Sequence, residues 1–477
     1  MVTFATTAGR PVARSVPGVD EGGRDRFIDL LRGGSIVAVV VGHWLVADVR
    51  WTGTGADARL VETSSLHEVP SMWPLTWLFV VIPLFFFVGG YANRRSWQGT
   101  LRRGEGYATF VDRRVHRVLA PAGLYVAVVA LLGLMVDRAG GLGVRSLGGL
   151  LYQPLWFLGA YLCVVALTPL TLRLHHRLGA GALGLLLVLV VLGDVGRFAL
   201  GVEASGYANV LLVWVLLHQV GFLHADGRLA GPVPVAMAAG GLGATALLVA
   251  LGPYTASMVG VTDGPVGNMH PPTLAIATLG IAQVGIALML RPPLTRWLQR
   301  PAVWRAVVLV NLSILSIYLW HQAALMIAAR LVLPLGYPDP SPGTPAWWVA
   351  RVMWLLLPGL VLAIIVAVVG WAERLAAPPV VRPGVASAAA AVAGVILVCV
   401  GFLGLAGSSA TEPFSAGQSL GPFTASPALG LGCIAAAGLL FWVLRRAAPD
   451  GDRGPGRRGS AGPGEDQQGA VIGRGRH

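Results

Sequence analysis

Apolar stretches of about 20 residues recur along nearly the whole chain, each long enough to cross the hydrocarbon core of a bilayer. This repeat constrains the fold more than any single motif, because no soluble architecture can bury so many helices that are apolar all round. Composition agrees: 55% of the 477 residues are hydrophobic and only 12% are charged, against roughly 25% charged in a soluble domain. The sequence therefore predicts an all-α fold, a polytopic transmembrane helical bundle. Reading for apolar runs bounded by Arg, Pro and Gly predicts twelve spans. They fall at 27–47, 73–92, 118–136, 152–172, 180–196, 207–223, 230–251, 273–290, 306–329, 347–370, 385–406 and 426–444.

The net charge is +13, and all 35 basic residues are arginine. In a soluble chain that balance suggests nucleic acid. Here the arginines sit in the short links between spans, where they fix orientation, so no nucleic-acid partner is expected. With the N-terminus inside, 28 arginines fall on cytoplasmic segments, and Arg50, Arg59, Arg138, Arg145, Arg197, Arg330 and Arg351 fall on the other side. This alternation predicts a multi-pass protein of the cell membrane with both termini cytoplasmic. Residues 1–26 are polar and lack the apolar core and cleavage site of a signal peptide, so the first span reads as an uncleaved anchor. Cys163, Cys399 and Cys433 all lie inside apolar runs and imply neither a disulfide framework nor a zinc site.

The chain divides into a cytoplasmic N-terminal tail (1–26), a ten-span core (27–375), two additional Ala/Gly/Leu-rich helices (376–445) and a Gly- and charge-rich tail (446–477) that is expected to be disordered. Two motifs of soluble enzymes fail on context. Gly179, Gly181 and Gly184 fit G-x-G-x-x-G, but no strand precedes them. Gly417-Gln418-Ser419-Leu420-Gly421 fits G-x-S-x-G in a loop between spans, without the strand–turn–helix of a nucleophile elbow.

Ionisable residues inside spans cost roughly 2.5 kcal/mol or more, so each is a candidate site. Arg32 and His43 lie eleven residues apart in the first span. A helix returns them to within about 20° of one face and separates them by about 16 Å along the axis. Asp29, three residues before Arg32, is placed to hold its guanidinium. As anchors alone, Arg32 would mark the inner face and His43 would join two helices. A second histidine, His321, is expected at the same depth, with Tyr318 and Gln322 beside it. Imidazole titrates near neutrality and suits general-base work. Two histidines at one level could activate a hydroxyl or bind a metal, but no carboxylate lies at that depth, so no metal is expected.

Gly89 and Gly90 end the second span and allow close approach of a helix or a ligand. Arg94 and Arg95 follow, and Arg102, Arg103, Arg113, Arg114 and Arg117 crowd the same loop. Guanidinium groups bind phosphates bidentately, so the loop suits a phosphorylated cytosolic donor; membrane lipid with anionic headgroups is the other partner it fits. Trp156 and Phe157 open the fourth span, where an interfacial aromatic belt is expected. The outer loop carrying Asn268, Met269 and His270 is a candidate acceptor-side element.

At these residues the chain resembles the acyltransferase-3 family of integral membrane acyltransferases. The family signature, a basic residue, ten residues and a histidine, is matched by Arg32 and His43, with Asp29 and Gly33 in its entry. Phe85 to Tyr91 resembles the F-F-x-x-S-G-F/Y run, Trp156-Phe157-Leu158 the W-F-L patch, and Tyr318-Leu319-Trp320-His321 the Y-L-x-H patch. The likeness spans about residues 24–375. Gly89 stands where the family commonly has serine, and the basic stretch ending at Pro121 carries one extra residue, which marks a divergent branch whose acceptor is not inherited.

The resemblance implies transfer of an acyl group, often acetyl, from cytosolic acyl-CoA to a hydroxyl of an envelope glycan or glycosylated compound. It implies no bound cofactor, acyl-CoA being a co-substrate. It assigns catalysis to His43, Arg32 and His321, and donor binding to Gly89, Gly90, Arg94, Arg95, Arg113, Arg114 and Arg117. Asp29, Tyr318, Gln322 and Trp156 support them. Two readings of other classes remain at this stage. One is a transporter or flippase of a glycan or lipid intermediate, whose pathway would also carry Arg and His. The other is a membrane scaffold without activity.

Overall fold

The computed structural model describes residues 25–53, 58–139, 148–259, 267–375, 387–410, 419–420, 423–424 and 426–447. Residues 1–24 and 448–477, Arg145, Arg382 and most of the Gly417–Gly421 stretch lie outside the described residues. The first helix, α1 (Arg26–Val46), starts where the Asp25 carboxylate accepts from the backbone N–H groups of Phe27 and Ile28, so a side chain supplies the partners that the first turn lacks. The chain then forms an antiparallel hairpin, β1 (Ala47–Thr52) and β2 (Arg59–Ser64), with Ala47 opposite Ser64.

Nearly all the rest is helical: α2 (Ile82–Arg102), α3 (Tyr107–Arg138), α4 (Leu155–Leu178), α5 (Gly181–Phe198), α6 (Asn209–Ala225), α7 (Val233–Leu251), α8 (Leu274–Met289), α9 (Pro301–Leu312), α10 (Ile314–Val332), α11 (Pro345–Leu375), α12 (Ala388–Ala406) and α13 (Pro427–Ala447). Ten of these helical segments are long and apolar enough to cross a membrane. The protein is an all-α polytopic bundle.

Several spans differ from their sequence-based limits, and proline accounts for most of the differences. The expected 73–92 segment is split: short helices occupy Pro70–Phe79, and a new helix begins beside Pro83. Pro lacks the N–H that would continue a ladder, but it is tolerated in a first turn. The expected span at 273–290 is α8, bent by 55° into the short helix Arg291–Trp297, which carries Pro292 and Pro293 in its first turn. Gly179 ends α4 with a φ of 55°, and Gly181 opens α5, so these glycines join two helices.

The two C-terminal helices share the main core. Phe402 and Leu405 of α12 and Phe441 of α13 bury in the same apolar cluster as α4 and α6. Small residues permit the approach: Cys399 Sγ donates to the Gly159 carbonyl at 3.3 Å and lies 3.2 Å from Cys163 Sγ. Beyond α12, Ala410 N–H bonds the Gly148 carbonyl.

Candidate functional site

Helices α1 and α10 run side by side in the same direction, and polar side chains link them at two levels. At the first, Arg32 Nη2 donates to Asp29 Oδ1 at 2.9 Å and its Nε donates to Asn311 Oδ1 at 2.7 Å. Asn311 Nδ2 in turn donates to the Asp29 carbonyl. Asn311 lies in the last turn of α9, two residues before the break at Ser313 that precedes α10. The short gap left by Gly33 lets the amide in, since a Cβ there would lie 3.0 Å from Asn311 Nδ2.

At the second level, His43 Nδ1 lies 2.8 Å from His321 Nε2, with the rings stacked at 5.0 Å and 13°. His321 Nδ1 is 2.6 Å from the Tyr318 carbonyl. A carbonyl only accepts, so His321 carries its proton on Nδ1 and, when neutral, accepts on Nε2. His43 must then donate from Nδ1, which leaves the lone pair of its Nε2 free. Two hydrogen bonds thus set the tautomer of both rings. Tyr318 is held by its hydroxyl on the Pro154 carbonyl, and Trp44 donates to the His321 carbonyl. His321 is fully buried, while His43 is half-buried and lines a cavity of about 300 Å³.

That cavity is bounded by Gln153, Trp156, Glu62, His270, Tyr318 and Gln322 among others. Trp156 stands in its wall, edge-on to His270 at 5.4 Å. Gln322 Nε2 donates to Gln153 Oε1. Glu62 of β2 stands at the cavity lining with much of its side chain exposed, and loss of water on its covered side pushes its carboxyl up to about 7.

The arginines divide into two groups. Arg94 pairs with Asp226 at 2.5 Å and donates to the Phe222 carbonyl; Asp226 also binds His175, which bonds Gln219. Arg113 is held by Glu105, and Arg95 by the Tyr91 hydroxyl at 2.6 Å. By contrast Arg114 bonds Tyr161 and lies close enough to Arg32 and Arg117 to feel both charges. Arg114 thus lies within electrostatic reach of Arg32 and Arg117, while Arg32, Arg94 and Arg113 are each tied to a carboxylate. From Tyr161 an aromatic column runs through Phe85 and Phe157 to Tyr318 and His321, linking the arginine level to the histidine level.

The glycine pair also divides. A Cβ on Gly90 would meet the His218 carbonyl at 2.0 Å, and one on Gly221 would meet the Phe87 carbonyl at 2.2 Å, so α2 and α6 cross in backbone contact there. Gly89 is open: its nearest neighbours, His218, Asn93 and Tyr161, would stand 3.8–3.9 Å from a Cβ. Asn93 and His218, both buried, bond each other at 3.2 Å. Sequence reasoning missed Asn311, Tyr161 and the Asn93–His218 pair. One signal was available for Asn311, which precedes His321 by ten residues much as Arg32 precedes His43 by eleven.

Polar side chains thus link two parallel helices inside a bundle of membrane-spanning length and composition. The family model described as an acyltransferase domain matches residues 25–372. The chain belongs to the acyltransferase-3 family and is a membrane acyltransferase. No curated protein and no solved structure matches it.

Proposed function

We propose that the protein moves an acyl group, acetyl in the simplest case, from cytosolic acyl-CoA to a hydroxyl of an envelope glycan or glycosylated compound. The observation that carries this reading is the free Nε2 lone pair of His43, directed by the His321–Tyr318 carbonyl chain and set in the wall of a mainly apolar cavity that also carries Gln153, His270 and Gln322. His43 takes the proton from the acceptor hydroxyl as its oxygen attacks the thioester carbon. The C–O bond forms, the C–S bond breaks, and the proton passes from His43 to the departing CoA thiolate. His321 steadies the charge that His43 acquires, and a positioned base of this kind contributes about 10²–10⁴-fold.

Arg32, Arg114 and Arg117 supply three guanidinium groups at the other level, suited to the donor's phosphates. Their separation from His43 along α1, about 16 Å, calls for a ligand with a long thin arm, and a pantetheine thioester has that form. Direct transfer from donor to acceptor needs no nucleophilic side chain of the enzyme. The orientation that sets the arginines at the cytoplasmic face follows from arginine placement along the sequence.

The test is CoA release by the purified protein with acetyl-CoA and a glycan extract, wild type against His43→Ala. Release that requires both the extract and His43 is the expected result. Transport of a labelled glycan into proteoliposomes without CoA release would replace this reading with that of a carrier.

A further inference from the structure

A second cavity, of about 210 Å³, adjoins the first at the start of β1: Ala47 lines one and Asp48 the other. Its charges cancel. Asp48 binds Arg50 at 2.7 Å and Arg351 at 2.5 Å, and Asp339 stands 3.5 Å from Arg50. Two cations facing two carboxylates leave no net charge to recruit a phosphate or an ammonium group. An acyl chain fits no better, because it would strip water from these ion pairs without replacing its hydrogen bonds.

The rest of the wall is apolar, four aromatic rings standing among aliphatic residues such as Val49 and Leu333. Trp51 and Tyr337 are half-buried there, and Tyr337 lies 5.7 Å from the ring of Trp354. Trp354 is only 3% exposed, and its indole N–H, which can only donate, has no partner among the described residues. Asp339 keeps 56% of its side chain accessible and can accept from a ligand. A matching ligand is uncharged, carries hydroxyls that both donate and accept, and offers apolar faces to flat rings. A sugar ring has this combination.

We propose that this cavity is a subsite for a neutral sugar unit next to the one acylated beside His43, so that the enzyme takes its acceptor as an oligosaccharide. The subsite rests on the reading of the His43 cavity as a glycan acceptor site, but its occupancy is measurable without turnover. Arg351 joins the two cavities: its guanidinium bonds the Ala47 carbonyl, Asp48 and Ser65, so an acceptor lying across β1 would follow one rigid edge.

The experiment uses the full-length protein in lipid nanodiscs and saturation-transfer NMR. The probes are methyl glycosides of glucose, galactose, mannose and N-acetylglucosamine, with disaccharides built from them. At least one disaccharide should bind about tenfold or more tightly than its methyl glycoside. Asp339→Asn and Trp51→Ala, at unchanged melting temperature, should each erase most of that advantage while leaving the methyl glycoside unaffected. His43→Ala should leave it intact. A panel that does not bind, an advantage that survives in both variants, or displacement by glycerophosphocholine rather than by sugars would overturn the proposal. Sugar binding without CoA release would remove the acyl-transfer reading and keep the subsite; CoA release without a disaccharide advantage would do the reverse.

Discussion

His43 Nδ1 lies 2.8 Å from His321 Nε2, and the Tyr318 carbonyl behind His321 fixes the direction of that bond. Replacing either ring therefore has different consequences. His43→Ala should lower acyl transfer by about 10²–10⁴-fold, as expected for loss of a general base. His321→Ala should cost less, and His321→Gln, whose amide oxygen can still accept from His43, should recover part of the loss. Initial rates of CoA release across the three variants check the order.

Arg32 is gripped from two sides, by Asp29 and by Asn311. Arg32→Lys keeps the charge but cannot reach both partners from one ammonium. Asn311→Leu should raise KM for acyl-CoA by about tenfold, the worth of one hydrogen bond to a charged group, with kcat changed much less. A change confined to kcat would place Asn311 in another role.

Gly90 and Gly89 are neighbours with opposite tolerances. Gly90→Ala drives a methyl group into the His218 carbonyl and should destabilise the fold by about 1–3 kcal/mol, as overpacking does. Gly89→Ser has room and should stay within about 0.5 kcal/mol of wild type. Thermal unfolding in detergent separates the two.

Glu62 carries its proton to about pH 7 in the folded protein against an ordinary value of 4.5. Between those values the folded chain binds a proton that the unfolded chain has released. Stability therefore falls as pH rises from about 4.5 to about 7 and is level above. In Glu62→Gln that decline should be absent, which melting curves at pH 5 and pH 7.5 will read.

The helical pattern and the histidine pair were legible because both rest on periodicity: apolar length marks the spans, and the eleven-residue spacing sets Arg32 and His43 on one face. What periodicity cannot carry was lost. Asn311 sits beside a helix break, so its partner across 279 positions left only the ten-residue interval to His321 as a trace. Trp156 reads as a belt residue at a span's end, yet the short helix Gly148–Tyr152 before it turns the ring toward the cavity. The grouping of Arg114 with Arg32, rather than with its neighbour Arg113, depends on the side chain each meets in space, Tyr161 for Arg114 and Glu105 for Arg113.

The seam between α4 and α12 joins Gly159 to Cys399, 240 positions later in the chain. At a synthesis rate of about 5–20 residues per second, that interval lasts roughly 10–50 s. Through it α4 sits in the bilayer with a glycine-lined face that only lipid or an assembly factor can cover. Helices α12 and α13 close this face only once they are made, so a chain stopped before them holds both histidines behind an open wall.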